Sequence, residues 1–196
     1  MSTSYTDLQL DTLREVANIG SGTASTALAA LLGRPIDISA PAAHALPLRE
    51  ALEAVGEPAT EVVSVAIPVA GDIPSLMLAL ATTGHGARLA ELLGAGGDAD
   101  VARSALAEVG NILGTHYLTS LHQMTGLALA PLPPRLAAGS LGTVVRDALA
   151  APGGETGLCL FIGSELVVEG ESCSLSFLYV PGADGADELL ARLGMA

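Results

Sequence analysis

The sequence predicts a mixed α/β fold of the α+β type, internally duplicated with pseudo-two-fold symmetry, in which long helices pack on a largely antiparallel sheet. Three observations lead there. A long helical stretch occurs twice, as Asp11-Thr-Leu-Arg-Glu15-Val-Ala-Asn18-Ile-Gly20 and, 93 residues later, as Ser104-Ala-Leu-Ala-Glu108-Val-Gly-Asn111-Ile-Leu113. The match continues through Thr26 and Thr119, Leu28 and Leu121, Gly33 and Gly126, Pro41 and Pro134. Each half then carries two strand-like runs in succession and a shorter helix, and strands joined by hairpins pair antiparallel, because parallel pairing needs a long crossover. The expected organisation is one domain over residues 1–196 made of two repeats, 6–94 and 99–194.

The first helix is expected to start at Thr6 as N-cap and to stop at Gly33, ahead of Pro35. Gly20 lies on its apolar side, where a close neighbour would offset the cost of glycine in a helix, about 1 kcal/mol against Ala. Ser21-Gly22 is a candidate kink. Ile36 to Ser39 reads as a short strand ended by Pro41, and Leu48 to Val55 as a helix. Val63, Val65, Ile67 and Val69 alternate along one strand and Leu76, Leu78 and Leu80 along the next, with a turn at Ala70-Gly71-Asp72. Pro68 implies a bulge or an edge position. A helix from Thr83 to Leu93, capped by Thr83, and a linker Ala95-Gly96-Gly97-Asp98 close the first half.

The second half repeats the order. It has a helix over 99–125, a short strand from Leu127 to Ala130, a proline-rich turn and a helix over 141–150. Strands over 158–162 and 173–180, and a helix over 184–193, complete it. Glu165, Glu169 and Glu171 fall between those last two strands, which suggests a long connection.

Composition removes several functional classes. The net charge is −13 and no lysine occurs, which opposes binding to nucleic acid or docking on anionic lipid, both of which use basic residues. The most apolar stretch, Val62 to Ala81, is interrupted by Pro68, Asp72 and Pro74 and does not make a membrane span. No basic segment precedes an apolar run at the N-terminus, so no signal peptide is evident. Cys159 and Cys173 lack metal-ligand spacing and read as buried strand thiols, the alternative being a hairpin disulfide, which a cytosolic setting disfavours. His44, His85, His116 and His122 are scattered, and no metal site is expected.

The helical repeat holds more than core packing demands. At 100° per residue, positions 11, 15 and 18 share a narrow sector opposite the apolar stripe of Leu13, Val16, Ala17, Gly20, Ala24, Ala27, Leu28 and Leu31. Packing explains the repeated Leu, Val and Ile but asks nothing of an exposed Glu and Asn three residues apart. Asn costs a few tenths of a kcal/mol inside a helix. Carrying that cost at the same place in both copies, beside the same Glu, points to function.

Each copy fits one spacing: Asp or Ser, three residues, Glu, two residues, Asn, twenty-two residues, Pro. These are Asp11, Glu15, Asn18 and Pro41, then Ser104, Glu108, Asn111 and Pro134. The pattern resembles that of the CheC family of chemotaxis phosphatases (CheC, CheX and FliY), and its two intact copies are most like CheC. The resemblance implies a continuous sheet covered on one side by helices, with the motif faces of the two long helices outward. It implies a cytoplasmic hydrolase that removes the aspartyl phosphate of a phosphorylated CheY-type response regulator. Asn18 and Asn111 would orient the attacking water, Glu15 and Glu108 would pair with the regulator's lysine, and Asp11, Ser104, Pro41 and Pro134 would support docking or the motif's edge. The protein would need no cofactor of its own, since the regulator brings a divalent cation, Mg2+. The resemblance also allows the receptor deamidase CheD as a second partner, with the 141–150 helix as a candidate surface, and a monomeric state. The alternative is a non-catalytic CheC-like scaffold or adaptor of the flagellar switch or chemotaxis apparatus.

Overall fold

The structure, a computed structural model, describes residues 7–150, 158–182 and 185–194, with side chains from Asp11 onward. In chain order the elements are α1 (Asp7–Leu32), β1 (Ile36–Pro47), α2 (Leu48–Val55), β2 (Glu61–Gly71), β3 (Ser75–Thr82), α3 (Thr83–Leu92), α4 (Ala99–Thr125), β4 (Leu129–Pro131), β5 (Arg135–Ser140), α5 (Leu141–Leu149), β6 (Leu158–Val168), β7 (Glu171–Pro181) and α6 (Ala186–Arg192). The strands form one seven-stranded sheet in the order β1-β6-β7-β3-β2-β4, with β5 following β4 along the outer edge of β2. Every pairing is antiparallel.

The sheet order interleaves the repeats. β1 of the first repeat pairs with β6 of the second, while β4 and β5 of the second pair with β2 of the first. The two hairpins, β2–β3 and β6–β7, then meet along β3 and β7 at the centre, with Leu78 opposite Leu178. This seam is the pseudo-two-fold.

The residue pattern explains the layers. Val65, Ile67 and Val69 face the same core as Leu13, Val16, Leu28, Leu113 and Leu121 of the two long helices. Leu76, Leu78 and Leu80 of the neighbouring strand point to the other face, where Ala51 of α2 and Leu141, Val144 and Val145 of α5 cover them. β3 is therefore buried on both sides. The expectation of helices on one side only is corrected by α2 and α5. They are short, eight and nine residues, so each covers only part of the outer layer.

Several boundaries differ from the sequence reading. β1 does not stop at Pro41 but runs twelve residues to Pro47, absorbing Pro41 in a bulge between Ser39 and Ala42. A further strand, β5, follows Pro134, between the proline-rich turn and α5, where the sequence reading has no element. β6 and β7 extend through the acidic stretch to a two-residue turn, with Glu169 at φ 52° and Gly170 at φ 84°. Two positive φ values in a two-residue loop match the right-handed twist of the flanking strands. The cap of α3 is Thr82, whose hydroxyl accepts from the His85 backbone N–H, not Thr83. Pro68 sits inside β2, in the gap between β4 and β5 where no ladder bond needs its missing N–H. Thr6 and Asp184, expected at helix starts, lie outside the described residues.

Both cysteines are free and buried, and they join the cores on opposite faces of the sheet. Burial pushes the Cys159 thiol up to about 12.

α1 is continuous through Ser21-Gly22. Gly20 explains the close fit: a Cβ there would strike the Tyr117 ring and lie 3.2 Å from the Tyr117 Cα of α4. Tyr117 is fully buried, its ring 5.0 Å from that of Phe177, and its hydroxyl is 2.7 Å from Ser164 Oγ. The glycine thus lets two helices meet over a tyrosine that reaches the sheet beneath them. Gly20→Ala should destabilise the protein by about 1–3 kcal/mol through overpacking, measured as a lower urea midpoint with unchanged slope.

Candidate functional site

The apolar stripe of α1 faces the sheet from Leu13 to Leu28, while Leu31, expected on the same stripe, is exposed in the last turn, and the opposite sector is left in solvent. Glu15 and Asn18 are both exposed there, one helical turn apart. On α4, Glu108 is exposed and Asn111 half-buried. Among the described residues none of these four side chains makes a hydrogen bond or an ion pair. Acid and carboxamide are thus free to meet another molecule.

Asn18 lies about 3 Å along the helix axis from Gly20, whereas Asn111 lies about 9 Å from Tyr117, the residue that Gly20 meets. The supporting positions divide. Asp11 is exposed and held by Arg14 at 2.8 Å, an i,i+3 pair that the sequence displays but that the motif does not contain. Its counterpart Ser104 is exposed, and Ala107 stands where Arg14 does in the first copy, so the second motif has no such pair. Pro41 lies in the bulge of β1 and Pro134 in the break between β4 and β5. The prolines interrupt outer strands and are not part of the helix face.

Two of the four histidines are engaged away from the motif faces. His122 Nδ1 is 2.7 Å from the Leu127 carbonyl at the end of α4, and His85 Nδ1 accepts from the Ser174 N–H. Burial holds His116 below its ordinary value, so it is neutral near pH 7. Among the described residues no three His, Cys, Asp or Glu side chains gather as a metal site, and no helix is long and apolar enough to cross a membrane.

The sequence profile of the CheC-like family matches residues 8–44 and 101–137, two windows 93 residues apart that each hold one motif with its proline. A curated relative, the CheY-P phosphatase CheC of Bacillus subtilis (strain 168), is 34% identical over 149 residues, covering 72% of this chain and 71% of that protein. The chain belongs to the CheC-like family. Solved structures agree on the fold. FliY of Thermotoga maritima superposes with a TM-score of 0.70 at 18% identity, covering 96% of this chain and 97% of that one. The middle domain of FliM from H. pylori gives 0.63 at 9% identity, covering 97% and 99%. This CheC-like chain shares its architecture with proteins whose sequences have diverged far, so the fold alone does not fix the activity.

Because Asn18 has no partner to lose, Asn18→Ala should not weaken the fold. Helix propensity predicts a gain of about 0.5 kcal/mol, measured by urea denaturation; a clear loss would show that the carboxamide serves structure.

Proposed function

We propose that this CheC-like chain is a phosphatase of chemotaxis signalling that hydrolyses the aspartyl phosphate of a CheY-type response regulator. The observation that carries this reading is the unpartnered Glu/Asn pair on both long helices, exposed on α1 and with Asn111 half-buried on α4, in a chain 34% identical to a relative named a CheY-P phosphatase.

The site has no nucleophile or strong base, which suits a substrate protein that brings its own reactive group. Asn18 or Asn111 enters the regulator's active site. Its carboxamide oxygen accepts one proton of a water, and the amide can donate elsewhere, so the water oxygen is held in line with phosphorus. Water attacks, the bond from phosphorus to the aspartyl oxygen breaks, and inorganic phosphate leaves. The carboxamide contributes position, not proton affinity. A small-GTPase glutamine that orients water is the parallel the handling of phosphoryl groups offers. Glu15 and Glu108 fix the register by pairing with the regulator's lysine, one helical turn from each carboxamide. A divalent cation held by the regulator, Mg2+, supplies charge neutralisation on the phosphoryl oxygens. Asp11 and Ser104 border the docking face.

Release of inorganic phosphate from a phosphorylated CheY-type regulator tests the reading. Asn18→Ala with Asn111→Ala should lower the accelerated rate by about 100-fold, the scale of a lost positioning contact, while circular dichroism stays unchanged. Each single variant should keep the turnover of the other site. A wild-type chain that gives no acceleration would place it with adaptors that do not hydrolyse.

Glu15→Gln with Glu108→Gln should weaken regulator binding by about two- to fivefold, the range of an exposed charge pair. Calorimetric titration with the regulator trapped in its phosphorylated form reads this directly, and unchanged affinity would remove the lysine pairing.

A further inference from the structure

The pseudo-two-fold supplies an internal comparison of packing on the face away from the motif helices. Strand register equates the pair Pro47–Leu158 with Ser140–Glu61, and therefore His44–Phe161 with Ala137–Ser64. In the α2 half, buried Phe161 and half-buried His44 fill the sheet surface near Ala51. In the α5 half the same two positions carry a hydroxymethyl and a methyl group. Val144, the counterpart of Ala51, adds two methyls, which does not replace two rings. A cleft of about 160 Å³ opens there between β2, β5 and α5.

Two polar features mark this cleft as more than a packing defect. Ser64 lies in its lining, is 1% exposed, and its Oγ has no hydrogen-bond partner. An unpaired buried hydroxyl costs about 1–3 kcal/mol and is rare enough to need a cause. Arg135 also lines the cleft. Six of the eight arginines form ion pairs, but Arg135 forms none among the described residues. Asp147, the acid of the lining, already lies 3.5 Å from Arg146.

We propose that this cleft binds a small hydroxy-carboxylate with an apolar body of about one benzene ring. Ala66, Pro68, Leu76 and Val144 provide apolar walls for the body. A cavity of about 150 Å³ with apolar walls holds benzene, so the volume fits one ring and little more. The ligand's carboxylate pairs with Arg135, and its hydroxyl satisfies Ser64. A plain hydrocarbon would leave both groups unmet, and an ammonium ligand would face Arg135 with like charge. The site lies on the opposite face of the sheet from α1 and α4 and does not depend on the phosphatase reading.

Titration of the isotope-labelled full chain with 4-hydroxybenzoate, followed by amide chemical shifts, tests this. Saturable shifts in the millimolar range or below are expected at Ser64, Ala66, Ala137 and Val144, with toluene giving none. Arg135→Ala should weaken binding about fivefold. Ser64→Phe with Ala137→His, which copies the other repeat, should abolish it; Ala137→Leu narrows the cleft more gently and serves where that pair fails to fold. No saturable shift in the wild type, equal binding by either filled variant, or equal binding of toluene would overturn the proposal.

Discussion

Neither repeat of this chain can complete a sheet alone. Each hairpin, β2–β3 or β6–β7, takes its outer neighbour from the other repeat, and the two hairpins are joined only where β3 meets β7. This exchange fixes everything above it. α1 and α4 must lie side by side on the resulting surface, because the apolar residues that receive them come from both repeats. Gly20 and Tyr117 then set how closely the helices approach, and the buried hydroxyl of Tyr117 ties that contact to Ser164 in the sheet. The outward sector of each helix is thereby held rigidly on secondary structure, as the proposed positioning of a water requires.

Much of this was legible in the residues. The bounds of α4 and α2 follow from apolar periodicity and flanking Gly, Pro and Asp, and the repeat was visible as an offset. Glu15, Asn18, Glu108 and Asn111 stood out because burial could not account for them. What was not legible depends on partners distant in sequence. Pro41 suggests an end to β1 until β6 is present to carry the ladder past a bulge. β5 has Ala, Gly and Ser in place of β-branched residues, and it is a strand because the edge of β2 pairs with it. The acidic stretch around Glu169 resembled a loop because its charges point to solvent from paired strands. Helices on both faces could have been anticipated, since β3 reads as Leu-Met-Leu-Ala-Leu-Ala without a polar side.

The copies are similar but not equal. Asp11 is engaged by Arg14, whereas Ser104 has no such arginine, and Asn111 is less exposed than Asn18. An internal duplication frees each half to drift so long as the shared core is kept. The outer face shows the same drift in a different place, where rings in one half stand against a hydroxyl and a methyl in the other.

The two prolines of the motif carry a consequence beyond the helices. Both lie on the rim strands: Pro41 in the bulge of β1, and Pro134 in the break that divides β4 from β5. A rim strand with an unbroken row of amides is a template on which a foreign strand can grow. Here each rim is notched near its middle, so an approaching chain finds no long run of donors and acceptors to copy. In a protein half of whose residues are hydrophobic, that notch guards against polymerisation.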